Sequence, residues 1–246
     1  MLIVDVGNSR IKWEFWKDGY TLAQGSCDTR SAFSGPVDCE WAKLPNPQRL
    51  LVANVAGEGI AERLTRWAVE RWRVAPEFAT VSVAACGVKN GYDEPAQLGV
   101  DRWLGLIAVW HRHASPACLV DCGTAVTVDG LSPVGQHIGG LVLPGLWLMR
   151  RALAAHTHAI EETRAGDAAV LLAHNTPDGV AAGTAHAIAA CIDRVANEIK
   201  RRFNEAQCII TGGDARFITP LLTDRFVMIP NLVLQGLLIW GRCPQP

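Results

Sequence analysis

No apolar run in this chain approaches the roughly 20 residues that a membrane helix needs. Gly139 to Met149 is short and holds Pro144, and Val227 to Trp240 is interrupted by Pro230, Asn231 and Gln235. The N-terminus has no basic stretch leading into an apolar core, and Asp5 breaks its one apolar run. No signal peptide and no membrane contact are therefore expected, and a cytoplasmic location follows. Charge of either sign is not in excess: 23 Lys and Arg face 24 Asp and Glu. A general nucleic-acid binder carries a basic footprint, so nucleic acid is not an expected partner. The basic run Lys200-Arg201-Arg202 falls at the end of an expected helix, where cations complement the dipole. Cys-x-x-Cys is absent, and the eight cysteines and seven histidines form no zinc spacing. A chain of this length and apolar content has no need of disulfide staples, so the cysteines are expected to be free thiols. Gly-x₄-Gly-Lys-[Ser/Thr] is also missing, which excludes a Walker-type phosphate loop.

What the chain does have is a repeat. Ile3-Val4-Asp5-Val6-Gly7-Asn8-Ser9 and Leu119-Val120-Asp121-Cys122-Gly123-Thr124-Ala125 share one pattern: an apolar strand ending in Asp, then a glycine turn with small polar residues. Around the first copy, Leu2–Val6, Arg10–Trp16 and Tyr20–Gly25 read as strands; around the second, Cys118–Asp121, Val126–Leu131 and a run ending at Gly139-Gly140 do. The two Asp residues lie too far apart for a solenoid, so a whole domain is duplicated. Strand Arg49–Val55, helices Gly59–Val74, Asp101–His113 and Thr184–Phe203, strand Cys208–Thr211 and a closing helix Leu232–Trp240 complete an α/β pattern. The boundary is expected near Ser115-Pro116, giving domains 1–114 and 115–246.

Each chemical candidate has a plainer reading beside it. Asp5, Gly7, Asn8 and Ser9, with Lys12 beyond, can cradle phosphate oxygens on backbone amides and hold Mg²⁺ on Asp5 through water. Gly-Asn is also a common hairpin turn; the second copy at Asp121 favours the functional reading. Gly57-Glu58-Gly59 resembles a dinucleotide fingerprint, but Glu62 stands where the third glycine belongs, so it is read as a strand-to-helix turn. Asp101, in Gly99-Val100-Asp101-Arg102, is a helix cap by residue type alone. It could also take a hydroxyl proton in phosphoryl transfer, with Arg102 steering an anionic acceptor. Gly139-Gly140 through Gly145 either approaches a ligand or shapes a corner before a helix. Gly212-Gly213-Asp214 leaves room for a flat base at a strand's carboxyl end.

Taken in order, Asp-x-Gly-Asn-Ser, Tyr92 before Gly-x-Asp-Arg, Asp-x-Gly-Thr-Ala, Gly-Gly-x-x-x-Pro-Gly and Thr-Gly-Gly-Asp resemble the type III pantothenate kinases. That family belongs to the actin/sugar-kinase/Hsp70 superfamily. The resemblance implies two tandem ribonuclease-H-like (actin-like ATPase) domains with a nucleotide cleft between them. It also implies transfer of the ATP γ-phosphate to the 4′-hydroxyl of pantothenate, the first step of coenzyme A synthesis. By the same likeness, ATP is bound by Asp5, Val6, Gly7, Asn8, Ser9, Arg10, Ile11, Lys12 and Thr124. Pantothenate is bound by Tyr92, Gly99, Val100, Asp101, Arg102 and Thr176, with Asp101 as general base. Asp121 would hold a monovalent cation, K⁺ or NH₄⁺, Asp5 would hold Mg²⁺ through water, and the protein would be a homodimer. Gly179 stands where an alanine is usual in the family. The rival readings are a related kinase acting on a sugar or other small alcohol, and a regulator that binds nucleotide without turnover.

Overall fold

The computed structural model describes residues 1–32, 40–162 and 166–243. They form two units. One comprises Met1–Arg112 with the chain from Leu232 onward, and the other His113–Asn231. The closing helix thus packs with the first unit and not with the half it follows in sequence, so the units differ from the expected 1–114 and 115–246 in that segment.

In the first unit, β1 (Leu2–Val6), β2 (Arg10–Lys17), β3 (Tyr20–Asp28), β4 (Leu50–Asn54) and β5 (Pro76–Phe78) make one sheet in the order β3-β2-β1-β4-β5. β1 pairs antiparallel with β2 and parallel with β4. Alternation sends Leu2, Val4, Val6, Ile11, Trp13 and Phe15 to one face, where Leu64, Ala68 and Trp72 of helix α1 (Glu58–Trp72) cover them. Trp41 lies fully buried among these groups. It stacks on Trp72 at 5.9 Å and meets Trp13 and Trp67 edge-on at 6.4 and 5.5 Å. Trp13, Trp41, Trp67 and Trp72 therefore belong to the core, each such pair adding roughly 0.5–1.5 kcal/mol beyond its buried area. Ile3 and Asp5 point to the opposite face, and helix α6 (Leu232–Trp240) packs on β1 and β4. Gly57 opens α1 as the strand-to-helix turn expected there. Short strands β6 (Ala84–Ala85) and β7 (Val88–Lys89) form a hairpin ahead of helix α2 (Val100–His113).

The second unit repeats the plan. β8 (Ala117–Cys122), β9 (Ala125–Leu131), β10 (His137–Pro144), β11 (Gln207–Thr211) and β12 (Val227–Met228) run in the order β10-β9-β8-β11-β12. Three antiparallel strands followed by two parallel ones, in the same sequence order in both sheets, give the duplication its structural form. Helix α3 (Leu146–His156) follows β10, and helix α4 (Thr176–Arg202) buries Ile188, Ile192, Ala196 and Ile199 against Cys118, Val120, Val126 and Val128. α4 starts at Thr176 and not at Thr184. Asn175 caps it by accepting the Asp178 N–H at 2.9 Å. The basic end of α4 is paired: Lys200 with Asp224 at 2.7 Å, and Arg201 and Arg202 with Glu198. A one-turn helix, α5 (Ala215–Ile218), follows β11.

The cysteines depart from the expectation of free thiols. Cys86, at the tip of the β6–β7 hairpin, is disulfide-bonded to Cys243 after α6, with 6.0 Å between their Cα atoms. Cys118, Cys122 and Cys208 are buried free thiols, and Cys27 and Cys191 are half-buried. Cys39 lies outside the described residues. No helix among the described residues is long and apolar enough to cross a membrane.

Candidate functional site

The first candidate surface is the turn between β1 and β2. The register sets Asp5 directly opposite Lys12 on one sheet face, while Val6 and Ile11 form the next pair with both side chains in the core. Only the main chain of Val6 and Ile11 can therefore meet a ligand. Between them the chain turns through 7–10, closed by Gly7 N–H donating to the Arg10 carbonyl at 3.0 Å. Thr29 organises the turn from outside the motif. Its hydroxyl donates to the Gly7 carbonyl at 2.7 Å and its N–H to the Ser9 carbonyl at 3.1 Å. A trans peptide points the following N–H opposite to the carbonyl, so the Asn8 amide faces away from Thr29. Asn8, Ser9 and Arg10 are exposed, and Arg10 donates to the Ser26 hydroxyl. An exposed amide, a hydroxyl and two cations around one carboxylate suit polyphosphate.

The second surface is built from residues 90–102 of the same unit. Arg102, almost fully buried, donates to the Tyr92 hydroxyl at 2.7 Å, and its guanidinium carbon lies 5.4 Å from the centre of that ring. Asp101 is the second residue of α2, not its cap. The Gly99 carbonyl accepts the Trp103 N–H at 3.0 Å, and Asp101 Oδ1 accepts the Arg102 N–H at 2.8 Å. A Cβ at position 99 would sit 2.5 Å from Asp101 Oδ1, so only glycine leaves the carboxylate this position. Tyr92, Gly99, Asp101 and Arg102 thus share one wall, and Val100 starts the helix beside them. Asn90 was not singled out by the sequence, yet its side chain bonds to Tyr92 and Pro95.

In the second unit Asp121 lies opposite Thr127 on β9 and beside Thr211 on the parallel strand β11. The turn after it spans only 123–125, shorter than its counterpart 7–10, with Gly123 N–H donating to the Ala125 carbonyl at 3.0 Å. Thr124 is held to the start of α3, its carbonyl accepting the Gly145 N–H at 2.9 Å. Gly212, at φ 98°, brings β11 so close that a Cβ would lie 2.5 Å from Asp121 Oδ1. Asp214 follows, its N–H donating to the Cys122 carbonyl at 3.0 Å and its carboxylate accepting from Trp147 Nε1 at 3.0 Å. Burial, then Asp121 and Asp214 on either side, push the Cys122 thiol far up, so it stays protonated and inert. Two carboxylates, main-chain carbonyls and a hydroxyl are hard oxygen donors, the set that alkali and alkaline-earth cations prefer.

Thr176 stands apart from that cluster. It begins α4 and lines a hollow of about 420 Å³ with Met149, Leu153, Gly179, Val180 and Gly183. Arg150 is buried beneath, 4.7 Å from the Trp147 ring, and donates to Thr184 Oγ1 and the Ala181 carbonyl. Burial lowers its pKa, and Asp214 partly restores it.

The family model of type III pantothenate kinase matches residues 1–198. The chain belongs to the type III pantothenate kinase family. The type III pantothenate kinase of Nitrosococcus oceani is 41% identical over 244 residues, covering 96% of this chain and 92% of that protein. That of Halorhodospira halophila is 38% identical, covering 98% and 97%. Among solved structures, a putative 2-dehydro-3-deoxygalactonokinase from Sinorhizobium meliloti superposes with a TM-score of 0.61 at 16% identity, covering 98% of both chains. A putative Baf family transcriptional activator from Campylobacter jejuni gives 0.61 at 20% identity, covering 96% and 94%. These structural likenesses carry the fold alone, the two-domain α/β fold of actin-like ATPases and sugar kinases.

Proposed function

We propose that this pantothenate kinase family member transfers the γ-phosphate of ATP to the 4′-hydroxyl of pantothenate, with Asp101 as the general base. The observation that carries this reading is the wall on which Tyr92, Gly99, Asp101 and Arg102 meet. Asp101 Oδ1 and Arg102 Cδ both lie near where a Cβ on Gly99 would stand, so this segment offers a carboxylate and a cation to an acceptor with a hydroxyl at one end and a carboxylate at the other. Arg102 pairs the pantothenate carboxylate, and Tyr92 holds the guanidinium in orientation. Asp101 takes the hydroxyl proton as the acceptor oxygen bonds to the γ-phosphorus, the bond from that phosphorus to the β–γ bridging oxygen breaks, and ADP leaves.

The turn 7–10 and Lys12 hold the phosphates, with Val6 and Ile11 contributing main chain only, and Thr124 contacts ATP. The oxygen donors suit two cations: Mg²⁺ near Asp5 through water, and K⁺ or NH₄⁺ on Asp121. When bound, these supply positive charge against the phosphates; orientation and proton removal fall to the side chains. Thr176 is assigned to pantothenate and the protein to a cytoplasmic homodimer. The exposed Leu153, which lines the Thr176 hollow, supports a second subunit there.

A coupled ADP-release assay tests the reading. Turnover is expected with ATP, Mg²⁺, K⁺ and pantothenate, and not with a 2-dehydro-3-deoxy sugar acid in its place. The opposite preference would move the chain to the sugar-kinase reading, and no turnover with either would favour a regulator.

A further inference from the structure

Asn90 sits where the chain leaves the β6–β7 hairpin for the loop that carries Tyr92. Its backbone N–H donates to the Val83 carbonyl at 2.8 Å. Its Oδ1 accepts the Tyr92 N–H at 3.0 Å, and its Nδ2 donates to the Pro95 carbonyl at 3.2 Å, with a longer contact of 3.5 Å to the Ser82 carbonyl. One side chain therefore joins three stretches of main chain: the entry to the hairpin, the backbone of Tyr92, and the 3₁₀ turn Pro95–Gln97 that leads to Gly99 and Asp101.

Most of this loop faces solvent. Gly91, Asp93, Glu94, Ala96 and Gln97 are exposed, and between Asn90 and Gly99 only Leu98 is buried. Apolar packing cannot dictate the path of residues 91–97, so hydrogen bonds must. The job needs an acceptor and a donor on one short planar group, which among side chains only Asn offers at this length. Asp would keep the bond to Tyr92 but turn a carboxylate toward two carbonyl oxygens. Ser would hold the Tyr92 N–H more weakly and has no amide to donate to the Pro95 carbonyl.

We propose that Asn90 is a positioning residue for the acceptor site, fixing the main chain of Tyr92 while Arg102 fixes its hydroxyl. This rests on the assignment of the Tyr92–Arg102 wall to pantothenate. With both ends of Tyr92 tethered, the guanidinium is held in one orientation before substrate arrives, and the ordering cost at binding falls. Asn90 is assigned neither to ATP nor to the proton transfer, so its loss separates acceptor binding from the rest of the reaction.

The test is steady-state kinetics on the full chain carrying Asn90→Ala, Asn90→Asp or Tyr92→Phe, and the double variant Asn90→Ala/Tyr92→Phe. Asn90→Ala is expected to raise the KM for pantothenate on the order of ten-fold, the worth of one or two hydrogen bonds, with kcat and the KM for ATP within about two-fold. Asn90→Asp keeps the size and one bond, and is expected to show the same split if the alanine variant does not fold. The double variant is expected to be no worse than the more impaired single one, because Asn90 acts through Tyr92. Equal changes in both KM values, a lowered Tm with the pantothenate KM unmoved, or strictly additive losses would overturn the role of Asn90. A wild-type chain inactive on pantothenate would instead overturn the acceptor assignment itself, and the wild-type arm tells the two failures apart.

Discussion

The hydroxyl of Tyr92 accepts a hydrogen bond from Arg102 at 2.7 Å, and the same guanidinium lies over the Tyr92 ring. Aromatic face and phenol oxygen together orient one cation. Tyr92→Phe keeps the face and removes the oxygen. A hydrogen bond to a charged group contributes about 1.5–3 kcal/mol, so the KM for pantothenate should rise roughly ten- to a hundred-fold. The KM for ATP should stay unchanged, and a parallel rise in both would sever the link to the acceptor.

Asp101→Asn keeps an oxygen for the Arg102 N–H and so should leave α2 intact. Turnover should fall about 10²–10⁴-fold, the usual contribution of a general base, with nucleotide binding retained. Single-turnover phosphoryl transfer at the wild-type rate would return Asp101 to a purely structural place in the first turn of its helix.

Activity should require K⁺ or NH₄⁺ and fall away in buffer containing Na⁺ alone. Asp121→Ala should abolish that dependence together with most of the activity. A substitution at Gly212 should act in the same direction, since a Cβ there meets both the Cys122 carbonyl and the Asp121 carboxylate, at a positive φ that other residues rarely adopt. Full turnover of wild type in Na⁺ would remove the cation from Asp121.

The disulfide between Cys86 and Cys243 closes a span of 157 residues. Removing a cross-link over a loop of this length costs about 2–5 kcal/mol of stability. Thermal melts with and without a thiol reductant should therefore differ by several degrees in wild type and not at all in Cys86→Ser. Identical wild-type melts would show the pair to be reduced from the start.

Glu198 accepts from Arg201 and Arg202 at the end of α4, and those hydrogen bonds pull its pKa down to about 2. A carboxylate whose folded pKa lies below its unfolded value stabilises the fold above the unfolded value. That contribution disappears as pH falls through the folded one. Glu198→Gln should thus be slightly less stable than wild type at pH 7, and the gap should close between about pH 4.5 and pH 2. Because the pair is partly exposed, the gap should also shrink in high salt. A gap that widens in acid would contradict the assignment.

Much of the fold was legible because its signals are local. Strands β1 to β3, β8, β9 and β11 follow from alternation and turn residues, whereas β10 runs on to Pro144, past the Gly139-Gly140 where the sequence ended it. The repeat of Asp5 and Asp121 foretold two sheets of like order. The start of α4 was hidden because Gly179 and Gly183 dilute the helical pattern, while the Asn175 cap declares itself only through its bond to Asp178. Thr29, Asn90 and Trp147 carry no motif; each is tied to the candidate site by a bond across a turn or between elements.

The sequence alone determined that there are two similar α/β halves, each ending a strand in Asp, and placed Asp101 and Arg102 at the head of a helix. Those facts rest on spacing along the chain, which periodicity and turn chemistry record. Tertiary structure decided which helix closes which half and that Cys86 meets Cys243. These contacts join residues distant in the chain, and their energy comes from shape and hydrogen-bond geometry that exist only once the sheets have packed.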